Sequence, residues 1–162
     1  MKQIISVLVE NQAGVLNKIT GLFARRAFNI DSLAVGVTED KSVSRITMIV
    51  DSGHNALDQV EKQLNKLVPV IKVRSFNMNE IVGKELALIK VGACAKTRSE
   101  LKDLADMMGA RITDMSPTTV TFEISDSPDR IDIFEEMLRT YGIKEVARTG
   151  IVALQKGSNF IA

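Results

Sequence analysis

The hydrophobic period of this sequence switches between two and about 3.6 residues in a fixed order, and then repeats that order. Ile5, Val7 and Val9 alternate with Ile4, Ser6 and Leu8, as in a strand with both faces fairly apolar. From Val15 the period becomes helical. Leu16, Ile19, Leu22 and Phe23 share a face, and Arg25 and Arg26 fall in the last turn, where the helix dipole favours cations. Leu33, Val35 and Val37 alternate with Ala34 and Gly36 as a second strand. The stretch TEDKSVSR has the composition of a turn, and Ile46, Met48 and Val50 make a third strand. Leu57, Val60, Leu64 and Leu67 mark a second helix, with Asp58 and Lys62 as an opposite-charge i,i+4 pair. Val70 to Phe76 closes the set as a strand. Strand, helix, strand, strand, helix, strand is the split βαβ, or ferredoxin-like, arrangement.

The same order returns after NMNEIVGKE, a polar, glycine-containing stretch that reads as a linker. Leu86 to Ala93 is a strand, and Thr97 to Glu100 (TRSE) reads as a capping box whose side chains satisfy the orphan amides of the next helix. Leu101, Leu104, Ala105 and Met108 face inward, and Gly109 ends that helix. RITDM and TVTFEIS pair as a hairpin across Ser116-Pro117-Thr118. Ser127-Pro128-Asp129 is an N-cap followed by proline at the first helical position. Ile131, Phe134, Leu138 and Tyr141 line the last helix, and Ile143 to Leu154 supplies the last strand. The expected fold class is α+β, two ferredoxin-like βαββαβ units: residues 1–76, a linker at 77–84, and residues 85–162.

Composition removes several functions. Lys plus Arg number 21 against 20 Asp plus Glu, so no field of one sign draws in a polyanion. With no Trp, one Tyr and six Phe, a base-stacking platform is poorly supplied, and no nucleic-acid partner is expected. Cys94 is the single cysteine, which rules out an internal disulfide and suggests a reducing compartment; its place at the end of an apolar run reads as a small buried thiol. The N-terminal apolar stretch is too short for a signal peptide and no window approaches a membrane span, so the expected location is the cytoplasm. His54 is the only histidine, which leaves no Cys/His metal site or His-based triad. No G-x-G-x-x-G, phosphate loop or C-x-x-C occurs. The balance favours a binding or regulatory module over an enzyme, although residues distant in sequence can still assemble a composite active site.

One local feature points to a ligand. Gly14 sits where the first strand hands over to the first helix, in ENQAGVLNK. The first amides of a helix lack internal acceptors and attract an anion such as a carboxylate. Glycine lets a ligand approach the backbone closely. Asn11 offers a donor and an acceptor just upstream, Asn29 follows the end of the helix, and Leu16, Ile30 and Val35 supply apolar surface. Such a set suits a carboxylate, an ammonium group and a short aliphatic side chain together, which is an amino acid. The same residues also read as ordinary punctuation: Asn11 a cap, Gly14 a tight turn, Asn29 a helix stop. Spacing alone leaves both readings open.

The stretch VENQAGVLNKITGLFARRAFNIDSLAVG, from Val9 to Gly36, resembles the ACT domain and, more narrowly, the small regulatory subunits of acetolactate synthase (acetohydroxyacid synthase). The similarity extends through LDQVEKQLNKLVPVIKV and returns in EVARTGIVALQKG, so it covers nearly the whole chain. N-x-x-G-x-L at Asn11, Gly14 and Leu16 marks ACT domains generally. Many of these have Asp and Pro-Gly in that loop, where this chain has Asn11 and Ala13-Gly14.

The resemblance implies a non-catalytic subunit that holds no cofactor of its own and activates a separate catalytic large subunit. That partner carries thiamine diphosphate, FAD and magnesium and condenses pyruvate on the way to branched-chain amino acids. It also implies end-product feedback inhibition, most often by valine, and a homodimer in which two ACT domains form one continuous sheet with the effector bound between them. Asn11, Gly14 and Asn29 match the family's effector positions; Ala13, Val15, Leu16, Ile30 and Val35 adjoin them. With its helix start taken to be self-capped, the second unit is expected to hold no such site and to serve partner contact, effector response, or both. Two other readings remain at this point: a free-standing ACT-domain amino-acid sensor acting on another enzyme or a transcription factor, and an enzyme with a composite site.

Overall fold

The computed structural model describes residues 2–26, 28–51 and 56–161, and of residues 2, 51 and 56–58 the backbone alone. His54 and the side chains of Leu57 and Asp58 lie outside that description. The chain divides into two compact units: residues up to Gly83 together with those from Gly150 onward, and Lys84–Thr149. Each has the expected ferredoxin-like topology.

In the first unit β1 (Lys2–Glu10), α1 (Val15–Arg25), β2 (Asn29–Val37), β3 (Val43–Asp51), α2 (Ala56–Leu64) and β4 (Val70–Phe76) follow in order. The strands form a sheet of order β2-β3-β1-β4. β1 is central and antiparallel to both β3 and β4, and β2 is an edge. The alternation read from the sequence sorts the faces. Ile5, Val7 and Val9 join Ile46, Met48 and Val50 beneath Ile19, Leu22 and Phe23 of α1 and Val60 and Leu64 of α2.

The opposite face is also covered, by a part of the chain expected elsewhere. Ile4, Leu8 and Phe76 pack against Ile81, Ile151, Ala153 and Ile161 in a second core. Two expectations are corrected here. The stretch expected as a linker is ordered: Met78–Glu80 is a 3-10 turn, in which the Glu80 carboxylate accepts from the Asn77 amide at 2.9 Å, and β5 (Ile81–Gly92) starts at once. The strand expected from Ile143 to Leu154 is two strands, β8 (Ile143–Arg148) and β9 (Val152–Gln155). Gly150 separates them at φ +78°, and the chain then returns to the first unit. β9 pairs β5, and the Lys156 amide donates to the Glu80 carbonyl at 2.9 Å. Burial drives this return, since each fully buried aliphatic side chain contributes about 1.5–3 kcal/mol.

The second unit holds β5 from Lys84 onward, α3 (Arg98–Met108), β6 (Arg111–Met115), β7 (Thr119–Asp126), α4 (Pro128–Leu138) and β8, in strand order β6-β7-β5-β8. Its core joins Ala87, Ile89, Val91, Phe122 and Ile124 to Leu101, Ala105, Ile131, Phe134 and Leu138. Phe122 and Phe134 meet edge to face at 5.5 Å. Where β5 and β8 end the unit, Arg148 grips Glu85 through Nε at 2.9 Å and Nη2 at 2.8 Å, and its Nη1 lies 2.6 Å from Asp132 of α4. These acidic partners hold the guanidinium charge even more firmly than usual.

Candidate functional site

α1 begins at Gly14 because that residue adopts φ 83°, ψ −6°, a left-handed conformation that L side chains resist. No side chain caps the helix start. Asn11 is therefore not the cap. Its backbone amide donates to the Ser42 carbonyl at 2.7 Å and its Nδ2 to the Lys41 carbonyl at 2.9 Å, which ties the loop to the β2–β3 turn. That turn is itself held by Asp40, whose carboxylate accepts from the Ser42 hydroxyl and amide and is kept below its usual pKa by them. A Cβ built on Gly14 meets no atom within 4 Å. The space above the helix start is open.

Asn29 is not a helix stop either. The helix closes at Arg26, and Asn29 is the first residue of β2, where its Nδ2 donates to Asp31 Oδ1 at 2.6 Å. Register shows where this leaves the expected set. Asn29 lies opposite Asp51, and Asp51 opposite Lys2; Val35 lies opposite Ile46 and Val37 opposite Ser44, near the Glu10 end of β1. The eight-residue step along β1 from Lys2 to Glu10 is about 26 Å. Within one chain Asn11, Ala13, Gly14, Leu16 and Val35 gather at one end of the sheet, and Asn29 and Ile30 stand at the other. Within one chain, Asn11 and Asn29 therefore do not face each other across a common site. Val15 is buried, and Ile30 packs on the core under the helices, so neither offers an open wall.

Leu16 and Val35 do remain open, with 39% and 50% exposure, and Val37, which the sequence reading left out of the set, is 62% exposed. The signal for it was present, since Val37 continues the Leu33–Val35 alternation on the same face. These residues stand on or beside the free edge of β2. Nine residues long, with Asp31 its one charged residue and a register shift confined to its Ile30–Ser32 end, that edge is unprotected from Leu33 to Val37 by charge or bulge. The equivalent edge of the second unit, β6, has five residues, two of them the charged Arg111 and Asp114.

The second unit's helix start also differs from expectation. Thr97 does not cap α3: it is helical at φ −93°, ψ −12° and makes no side-chain cap bond. Its hydroxyl accepts from the Cys94 amide at 3.0 Å, while Glu100 accepts from the Tyr141 hydroxyl at 3.1 Å. The four residues match the capping-box pattern, but the tight turn at Cys94 takes the threonine and Tyr141 takes the glutamate. Cys94 is exposed rather than buried, and the hydrogen bond from the Thr97 side chain is the main cause of its lowered pKa. No helix among the described residues is long and apolar enough to cross a membrane.

Comparison with known proteins agrees with both halves of this picture. Residues 5–72 match the family described as AHAS small subunit-like ACT domain, and residues 84–157 that described as small subunit of acetolactate synthase. The chain belongs to the acetolactate synthase small-subunit family. It is 45% identical to a probable acetolactate synthase small subunit of Archaeoglobus fulgidus, over 98% of this chain and 99% of that protein. It is 43% identical to the acetolactate synthase small subunit of Bacillus subtilis, over 98% of this chain and 92% of that one. Among solved structures, the acetolactate synthase small subunit of Thermotoga maritima matches with a TM-score of 0.90 at 35% identity, covering 98% and 99% of the two chains. The ACT domain of this family is thus the first unit.

Proposed function

We propose that this chain is the regulatory subunit of an acetolactate synthase: it activates a catalytic large subunit and transmits feedback inhibition by a branched-chain amino acid, with valine the first to test. It is non-catalytic, and the thiamine diphosphate, FAD and magnesium of the reaction belong to the partner. Its place is the cytoplasm.

The observation that carries this reading is the uncapped start of α1 at Gly14, open to solvent and next to the bare edge of β2. Bare amides with the positive end of a helix dipole suit a carboxylate. Leu16, Val35 and Val37 give a short aliphatic side chain an apolar rest. Two copies that pair their β2 edges antiparallel about a two-fold complete the set. The pairing continues the sheet, satisfies the free edge, and brings Asn29 of one copy to the Val37 end of the other, beside Gly14. The separation of Gly14 and Asn29 within one chain then becomes the reason the effector senses the dimer. Effector bound across the junction changes how the two ACT domains sit, and the catalytic subunit responds with reduced activity. Selection of valine over leucine or isoleucine rests on one methylene, about 1–3 kcal/mol, so cross-binding is expected.

Reconstitution tests it. Added to a purified catalytic large subunit with its cofactors, the chain raises acetolactate formation, and valine lowers it again. Gly14→Asp, which places an anion where the carboxylate docks, keeps the activation and loses valine binding by calorimetry. No activation by the wild-type chain, or carboligation of pyruvate by the chain alone, overturns the reading.

A further inference from the structure

The helices of the second unit leave apolar surface outside the core. β5 and β7 are antiparallel, so α3 and α4, which follow them, also run in opposite directions. Where the start of α3 meets the end of α4, the Tyr141 hydroxyl donates to Glu100 at 3.1 Å. From that bond two apolar rows lead along the seam between the helices. Leu104 and Met107 come from α3, and Met137 and Ile133, one turn apart, from α4. Met107 is 68% exposed, Ile133 51% and Met137 37%. α4 is thus apolar on both sides, since Ile131, Phe134 and Leu138 already fill the core. Among the described residues of α1 and α2, by contrast, Leu16 is the one large apolar side chain left exposed, and it belongs to the candidate effector site.

Charge follows the same seam. α3 and α4 together carry seven carboxylates and three cations. Asp106 pairs with Lys102, Glu136 with Arg139, and Asp132 and Glu135 with Arg148. Asp103 and Asp129 have no ion-pair partner among the described residues. Each stands one helical turn before an exposed apolar residue, Asp103 before Met107 and Asp129 before Ile133. An apolar centre with a charged border is characteristic of an interaction surface, and methionine is adaptable enough to close around what enters it.

We propose that this seam is the surface by which the second unit docks the catalytic subunit, which meets it with aliphatic side chains bordered by Lys or Arg. The inference rests on the regulatory reading above and adds a face and a chemistry to it. Charge decides between occupants. Two copies of the seam set against each other oppose like charges, which costs affinity. The helix layer of the first unit has the opposite sign, with five cations and two carboxylates over residues 15–26 and 56–67. Beyond Leu16, however, its described residues offer no exposed apolar side chain to enter the seam. A different protein therefore supplies both parts, and an amphipathic helix laid into such a seam is a recurring way to do so.

Binding of the full-length chain to the purified catalytic large subunit with its cofactors, read by interferometry, tests it. Met107→Gln combined with Ile133→Gln is expected to raise the dissociation constant roughly tenfold or more. Because both side chains are exposed, the melting curve and the self-association seen by sedimentation should stay those of wild type. Asp103→Asn combined with Asp129→Asn is expected to weaken binding and to make it less dependent on salt. A Met107→Gln, Ile133→Gln chain that binds the catalytic subunit as tightly as wild type overturns the proposal. So does one that loses self-association, since that gives the face to a second copy. If the wild-type chain does not bind the catalytic subunit, the regulatory reading falls and this inference with it; binding by wild type that both double variants retain removes this inference alone.

Discussion

Two glycines show how a single residue type does different work in this chain. Gly14 and Gly150 both sit at positive φ, +83° and +78°. A Cβ on Gly14 meets nothing within 4 Å, whereas one on Gly150 lies 2.6 Å from Ser32 Oγ and 3.2 Å from the Leu33 carbonyl oxygen. Gly14→Ala therefore carries only the torsional cost of the left-handed conformation, about 1 kcal/mol. Gly150→Ala adds a clash with the backbone of β2 and displaces the Ile151 amide, which donates to Ser32 Oγ at 3.1 Å. Its expected cost is about 2–4 kcal/mol. Urea unfolding of the two variants checks the order. Equal losses would mean that the close approach at Gly150 contributes nothing. The glycine at the mouth of α1 was legible because strand and helix periods meet there. Gly150 was not, because Val146, Val152 and Leu154 keep a period of two in phase across it. What breaks the strand is a tertiary demand, the uncovered Ile4, Leu8 and Phe76, and no local pattern encodes that.

At the level of elements, the periods located the long helices and strands, because burial set most of those patterns. Leu16, read on the inward face of α1, nevertheless stays exposed, and Val15 is the residue buried there. What local chemistry misassigned were segments whose polar groups have tertiary partners. Thr97 and Glu100 matched a cap and were taken by Cys94 and Tyr141; NMNE had the composition of a linker and is held by Glu80 as a turn. Asp126, at the end of β7, is a further case, with a consequence for acid stability. Lys84 Nζ reaches its carboxylate at 2.7 Å, Arg130 Nε at 2.6 Å and the Ser127 amide at 2.8 Å. The Lys84 hydrogen bond, followed by that of the Ser127 amide, lowers its pKa from 3.8 to about 2. A carboxylate with a depressed folded pKa stabilises the fold above its unfolded pKa and loses that contribution as pH falls through the folded one. Asp126→Asn should therefore cost about 1–2 kcal/mol at neutral pH, after allowance for solvent screening. The difference from wild type should shrink between about pH 4 and pH 2 and vanish below. Urea midpoints across that range check it; a difference independent of pH would show that Asp126 acts by packing.

For the whole molecule, the decisive point is that Gly14 and Asn29 occupy opposite ends of one sheet. The residue types proposed for the candidate site were legible in the sequence. The distance between Gly14 and Asn29 within one chain was not, because sequence neighbours joined by α1 look close until register separates them. If each site takes Gly14 from one copy and Asn29 from the other, chains carrying Gly14→Asp and chains carrying Asn29→Ala should rescue one another. Neither variant alone binds valine. In a hybrid dimer one site collects both defects and the other collects none. Random mixing makes half of the dimers hybrids, so about a quarter of all sites should recover. Calorimetry on separately purified variants, unfolded together and refolded as a mixture, reads this directly. A site built within one chain would give every hybrid site a single defect and no recovery. Recovered sites should also respond to the catalytic subunit, because coupling between effector and partner is reciprocal: whatever factor valine imposes on subunit binding, the subunit imposes on valine.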